Sequence, residues 1–277
     1  MGKAAWIVVT MVATASTAFA QSAATSPGFV AMDRFDASSR AGAEMSYMFA
    51  NTTGTTSVTA MRFDGHGQYV DPVSGFGGYL QLPISYVSGG GQSDTGVGDL
   101  EVGGIFVPRL STRNTALVLH AGLTLPTGST SNGGEGANLV GTFTRLDDFY
   151  DAIPKGVSLR IGVSPIVRSG NVFARLDLGF DSNISATTNV ESVLRINAGG
   201  GVDLGNVAVM AELVNLHSNR NTNGGSTGDQ WINEAAVSAR FRSGNVQPYL
   251  ALVLPLDHDS HLIIDAVLTV GFEASLR

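Results

Sequence analysis

From residue 41 to the C-terminus, apolar and polar side chains alternate with a period of two, and charges recur along the polar face. In residues 157–168, Val157, Leu159, Ile161, Val163, Pro165 and Val167 share one side, while Arg160, Ser164 and Arg168 occupy the other. From Val172, Ala174, Leu176, Leu178 and Phe180 oppose Arg175, Asp177 and Asp181. From Leu262, Ile264, Ala266, Leu268, Val270 and Phe272 oppose Asp265, Thr269 and Glu273. Successive side chains of a strand point to opposite faces, so this pattern specifies β-strands with one leucine-rich and one charged face. No helical stripe competes with it.

Twelve such segments are read, at roughly 42–49, 57–70, 74–87, 97–110, 114–126, 156–168, 171–181, 191–204, 206–217, 230–243, 245–256 and 261–275. Short turns at 71–72, 111–113, 169–171, 205–206 and 243–245 alternate with longer polar loops at 50–56, 88–96, 127–155, 182–190 and 218–229. Only the short connection 257–260 breaks the alternation. Tight turns on one side and long loops on the other are the signature of an up-and-down antiparallel transmembrane β-barrel. The expected fold is therefore all-β with twelve strands; a further membrane strand at 137–146 would instead make fourteen.

Composition narrows the choice. The chain of 277 residues has no cysteine, which excludes a disulfide scaffold and thiolate chemistry. Its 16 basic and 23 acidic residues exclude the basic footprint of a nucleic-acid binder. It is 43% hydrophobic, yet after residue 20 no apolar run reaches the ~18 residues of a spanning helix. The lipid-facing parity collects Phe49, Tyr86, Phe180 and Trp231 near one set of strand ends, and Tyr69, Phe76, Phe241 and Phe272 near the other. Two aromatic girdles are expected of a barrel in a bilayer.

Residues 1–20 read as a cleavable secretory signal: Lys3 precedes the apolar stretch Ala4 to Ala15, and Ala18-Phe19-Ala20 is a small-residue cleavage site before Gln21. Residues 21–40 are expected as a periplasmic N-terminal segment and 41–277 as the barrel, placed in the bacterial outer membrane with lipid as its surroundings.

The inward parity assigns Arg62, Asp64, Asp99, Glu101, Arg109 and His120 to the lumen, followed by Arg160, Arg168, Arg175, Asp177 and Arg195. Asp203, Glu212, Glu234, Arg240 and Asp265 complete the candidates, with His66, Asp181, Arg242 and Glu273 on the same parity. A midplane Arg or Lys facing lipid costs ~2–4 kcal/mol, so these charges belong inside. Arginine prevails because its planar fork pairs with carboxylates on neighbouring strands. Such pairs serve either as ladders bracing a narrow barrel or as a charged solute path.

Gly96-Val97-Gly98-Asp99-Leu100-Glu101-Val102-Gly103, with Ala121-Gly122-Leu123-Thr124-Leu125-Pro126-Thr127-Gly128 further on, is more specific than alternation. It resembles the G-x-G-D-L strand start and L-P-T-G strand end of the outer-membrane proteins grouped with the MetA pathway of phenol degradation. The resemblance spans residues 96–128. It implies an outer-membrane barrel and a role in uptake of small, often aromatic, molecules, with no agreed site residues to carry over.

Other chemistry is weaker. Gly224-Gly225-Ser226-Thr227-Gly228 matches G-x-S-x-G but lies in a polar loop rather than a strand-to-helix turn. Asp257-His258-Asp259-Ser260-His261 offers metal-ligand types in what reads as a solvated turn. Gly199-Gly200-Gly201 lacks the helix of a dinucleotide fingerprint. His66 and His120 would need a serine beside them to make a lipid hydrolase. The expectation is a non-enzymatic narrow channel or uptake protein for small, aromatic or hydrophobic solutes, without cofactor, catalytic residue or resident metal. The alternatives are a barrel enzyme acting on lipids and a structural or adhesive barrel. Loop 127–155 either folds inward as a constriction or stands outside as an extra hairpin.

Overall fold

The computed structural model describes residues 28–50, 58–110, 114–129, 131–152, 156–185, 190–220, 231–261 and 264–276. The signal and its cleavage site, and the Gly224–Gly228 motif, lie outside the described residues. Strands β1 (Arg40–Ala50), β2 (Val58–Val70) and β3 (Phe76–Gly89) lead into a short β4 (Gln92–Val97) and then β5 (Leu100–Phe106) and β6 (Thr115–Leu125). After the long loop come β7 (Ser158–Ser169), β8 (Val172–Asn183), β9 (Val190–Asp203), β10 (Val207–Arg220), β11 (Trp231–Phe241), β12 (Val246–Pro255) and β13 (Ile264–Ser275). Each pairs antiparallel with its neighbours, and β1 closes the ring on β13 from Arg40↔Ser275 onward. The result is a closed barrel of twelve antiparallel strands with one extra strand, β4.

The rim carrying the start of β1 and the end of β13, here called the terminal rim, has tight turns. Gly170 links Ser169 to Val172 with φ +58°, and Gly205 and Gly244 take φ +89° and +64°, the left-handed backbone that glycine adopts without penalty. The segment expected as one strand over 97–110 is instead broken. β4 pairs with Ile84–Gly89 and extends that hairpin beyond the opposite rim, while β5 pairs with Phe76–Gln81. At the break, Gly98 N–H donates to the Pro83 carbonyl and Asp99 N–H to the Asp151 carbonyl, each at 2.8 Å. Backbone groups freed from the ladder are thus satisfied elsewhere.

Parity sorts the side chains as the alternation requires. Leu176, Leu178, Phe180, Leu250, Leu252 and Leu254 are exposed on the outside, as are the girdle residues Phe49, Trp231, Tyr69, Phe76, Phe241 and Phe272. A continuous apolar exterior of this extent is stable against lipid rather than water.

Two lumen assignments are corrected. Arg109 lies beyond the end of β5, half-buried at the terminal rim, where it donates to the Val73 carbonyl of the 71–75 turn rather than lining the lumen along a strand. Asp265 is exposed on the outer side because the β1–β13 register shifts between Phe49 and Ala50, which turns Ile264 inward in its place. One inserted residue reverses a face.

The interior has two zones. They are divided by sector rather than by height. On β1, β2 and β9–β13 the inward wall toward the opposite rim is apolar, where Met48, Ala60, Val193, Val214, Leu216, Ala236, Val253 and Val267 form one cluster. On β5, β7 and β8 the same level is charged, with Glu101, Arg160 and Asp181 buried near that rim, and a second apolar cluster of Val70, Tyr79, Ile105, Val107, Ala116, Val118 and Ile166 lies toward the terminal rim.

Candidate functional site

Two segments meet inside the barrel. Residues 28–39, expected within the periplasmic segment ahead of the barrel, run instead through its lumen, and Phe29 to Asp36 are all buried. The segment is a U: its beginning lies near Arg40, Arg240 and Glu273, its middle reaches mid-barrel, and it returns to Arg40 at the terminal rim. Its sequence, Phe-Val-Ala-Met-Asp-Arg-Phe-Asp, does not alternate, so neither sheet pairing nor helix satisfies its backbone. The wall does so instead. Glu212 of β10 accepts the N–H groups of Val30, Ala31 and Met32 at 2.9, 2.8 and 3.0 Å. Arg240 donates to the Gly28 carbonyl at 2.8 Å. Two aromatic anchors complete the seat: Phe29 meets Phe173 edge-on at 6.0 Å, and Phe35 lies 3.7 Å from the Tyr79 ring.

The second segment descends from the opposite rim. Residues 131–152 of loop 127–155 fold inward, and 137–146 forms no membrane strand, which removes the extra hairpin and the fourteen-strand alternative. It contains α1 (Asn132–Thr142) and a 3₁₀ turn over Leu146–Ala152. No helical stripe marks this segment, and a helix with four glycines has poor intrinsic propensity. Packing and capping hold it. Ser131 caps it by accepting the Gly134 N–H at 3.2 Å, and Asn138 donates to the Val97 carbonyl at 2.8 Å. Glycine is required at Gly141, where a Cβ would collide with the Ser85 hydroxyl.

The 3₁₀ turn delivers Asp147, Asp148 and Asp151 to mid-barrel. Asp148 is the hub: it takes Arg62 of β2 at 2.9 Å, Arg145 of its own loop at 2.8 Å and Arg34 of the N-terminal segment at 3.3 Å. Arg34 also pairs with Glu44 of β1. Arg195, fully buried, joins Asp33 at 2.9 Å to Asp177 at 3.4 Å, Asp147 at 3.5 Å and Asp181 at 3.1 Å. Arg145 closes the contact by donating to the Met32 carbonyl at 2.6 Å. Arg160 reaches Glu101 at 3.3 Å and the Asp147 carbonyl. Burial alone would raise the Asp148 carboxyl, but Arg145, Arg34 and Arg62 outweigh it and hold the group well below the usual range. Asp151 goes the other way: burial, with Glu101 and Asp148 beside it, pushes it well up, and it accepts from Gln81 at 2.7 Å.

Most lumen candidates therefore belong to this network. Arg62, Asp64, Glu101, His120, Arg160, Arg175, Asp177 and Arg195 gather around mid-barrel, while Glu212 and Arg240 hold the N-terminal segment. Arg168 and Asp203 pair with each other at 2.6 Å at the terminal rim, where Arg242 joins them. Asp99 holds the start of the long loop by accepting the Gly128 N–H at 2.6 Å. Glu234 stands apart in the apolar sector. Asp33, His120 and Asp177 are grouped closely enough to suggest a cation site, but the Arg195 guanidinium already supplies the cation between the two carboxylates. The His66 and His120 rings face Glu273 at 3.5 Å and Asp33 at 3.3 Å. Asp257 caps the short helix α2 (His258–His261), accepting the Ser260 N–H at 2.8 Å.

The barrel has counterparts among solved structures. No family model and no curated protein matches the chain. An outer-membrane channel from Pseudomonas putida F1 is similar in structure, with a TM-score of 0.64 and 14% identity over 91% of this chain and 100% of that one. This chain has the fold of an outer-membrane β-barrel. The β domain of the Bordetella autotransporter BrkA (TM-score 0.47, 12% identity, 87% of this chain and 100% of that one) overlays less well. So does LpxR from Salmonella typhimurium (TM-score 0.44, 10% identity, 85% and 100%).

Proposed function

We propose that the protein is a non-enzymatic outer-membrane uptake protein: a narrow, gated barrel that admits small apolar or aromatic solutes. The observation that carries this reading is the meeting of the two inserted segments at Arg34 and Asp148. A barrel that served only as a membrane anchor would gain nothing from a second segment lowered onto the first. Twelve strands enclose a lumen between the side-chain-filled eight-stranded barrel and the open porin, so modest insertions suffice to close it. The apolar zone of the lumen favours solutes with little polarity over ions and sugars.

In this reading residues 1–20 are removed on export, the terminal rim faces the periplasm, and the long loops face outward. The U-shaped segment closes the barrel from the periplasmic side and loop 131–152 from the outer side. A solute passes when the contacts between them open. The test is uptake into proteoliposomes of a small aromatic alcohol and of a sugar of similar size. Faster entry of the aromatic solute than in protein-free liposomes, with no gain for the sugar, supports the reading; equal entry of both, or of neither, overturns it.

A further inference from the structure

One ionisable side chain of the apolar zone has no part in holding the inserted segments. Glu234 lies on the inward face of β11, opposite Val214 of β10 and Pro255 of β12, and is 3% exposed. Ile232 and Ala236 flank it along the same face, and Val253 lies opposite Ala236. Its Oε2 has no hydrogen-bond partner, and no ion pair reaches the carboxylate among the described residues. The other buried glutamates differ sharply: Glu212 takes three backbone N–H groups, Glu273 takes Arg40 and Arg240 at 3.0 and 2.7 Å, and Glu44 takes Arg34 and the Tyr249 hydroxyl. Arg145 is near enough to act on Glu234 through its field. Its Nε and Nη2 are committed to Asp148 and the Met32 carbonyl at 2.8 and 2.6 Å, and its buried Nη1 has no hydrogen-bond partner and makes no ion pair with Glu234 among the described residues.

An isolated carboxylate within an apolar wall is costly unless something pairs with it. We propose that Glu234 is the recognition group of a solute site in the apolar sector of the lumen, taking a small apolar molecule that carries one protonated amine. The inference deepens the uptake reading and rests on it for the route by which the solute arrives. An ammonium group offers three donors and the opposite charge, and a charge-assisted hydrogen bond in a water-poor site is about twice as strong as a neutral one. Val214, Leu216, Ile232, Ala236 and Val253 receive the hydrocarbon body, as apolar walls with one placed polar group do in ligand sites generally. A hydroxyl in place of the amine keeps a hydrogen bond and loses the charge; a carboxylate is repelled. Leu146 and Tyr150 of the loop pack into the same cluster, so a solute that reaches Glu234 touches the outer inserted segment.

The experiment is titration calorimetry on the full-length barrel in non-ionic detergent at pH 7, with 2-phenylethylamine and 2-phenylethanol as probes of matched size. The expected result is at least a ten-fold preference for the amine in the wild type, lost in Glu234→Gln, reduced in Glu234→Asp, and kept in Asp265→Asn on the outer face. Equal affinities in the wild type, no binding of the amine, or a preference that survives Glu234→Gln overturns the site. Should the Gln variant not fold, the Asp variant decides in the same way. Proteoliposome uptake separates the two readings. Entry without amine preference retains transport and rejects this site, while amine-selective binding without entry retains the site and rejects transport.

Discussion

The Arg34 guanidinium lies 3.3 Å from the Asp148 carboxylate, although one belongs to the segment ahead of the first strand and the other to the loop between β6 and β7. Both groups are buried, so the contact fastens two chain segments that enter the lumen from opposite ends. Removing one partner of a buried pair leaves the other charge uncompensated, at a cost of about 3–5 kcal/mol.

Asp148→Asn should therefore loosen the interior without opening the wall. Arg34, Arg62 and Arg145 lose their shared partner, and exchange protection should fall over residues 28–39 and 131–152. The strand amides, held by the ladder, should keep theirs. Hydrogen exchange followed by mass spectrometry reads this directly; unchanged protection in both inserted segments would show that Asp148 does not join them.

Glu212→Gln should act on one segment alone. Three backbone N–H groups lose an ionised acceptor, each bond to a charged group being worth about 1.5–3 kcal/mol. Protection should drop over residues 30–32 and stay unchanged over 131–152. A uniform loss across both segments contradicts separate seating.

The pH response follows from the two aspartates of the 3₁₀ turn. Asp148 is held below its ordinary value, so its contribution is present above the unfolded pKa, about 3.9, and is lost only as pH falls through its lower folded value. Asp151 is raised, so its ionisation opposes the folded arrangement as pH rises above about 3.9. Asp151→Asn should then be neutral or stabilising at pH 7, whereas Asp148→Asn destabilises. Thermal unfolding of the two variants checks the sign; destabilisation by Asp151→Asn equal to that of Asp148→Asn contradicts it.

The wall itself has a simpler test. Leu178 faces lipid at 43% exposed and Arg175 faces the lumen at 2%. Leu178→Arg places a charge in hydrocarbon at about 2–4 kcal/mol near the midplane. Arg175→Leu leaves Asp177 with Arg195 still 3.4 Å away. Folded membrane yield should fall further in Leu178→Arg, and equal yields would contradict the parity.

The wall was legible because alternation along a strand is a local property. Leu176 against Asp177, or Ile161 against Arg160, states which side faces lipid without any knowledge of the partner strand. Asp265 failed for the same reason: a register shift near Ala50 is set by the pairing of β1 with β13, which no local pattern records. The apolar sector of the lumen left a trace in Ala251-Leu252-Val253-Leu254-Pro255, since an unbroken apolar run means both faces are apolar. The inserted segments were the least legible. Phe29 to Asp36 mixes apolar and charged residues without a period, because a segment seated among side chains obeys the geometry of its seat. The glycines of α1 hid a helix that its packing against β3 and β4 and its Ser131 cap sustain.

Single-channel recording in planar bilayers tests the central claim, that two fastened segments close the barrel. Wild-type protein should give small, discrete steps, and the double variant Arg34→Ala/Asp148→Ala should give steps several-fold larger at the same salt and voltage. Large wild-type steps matched by the double variant would contradict the account.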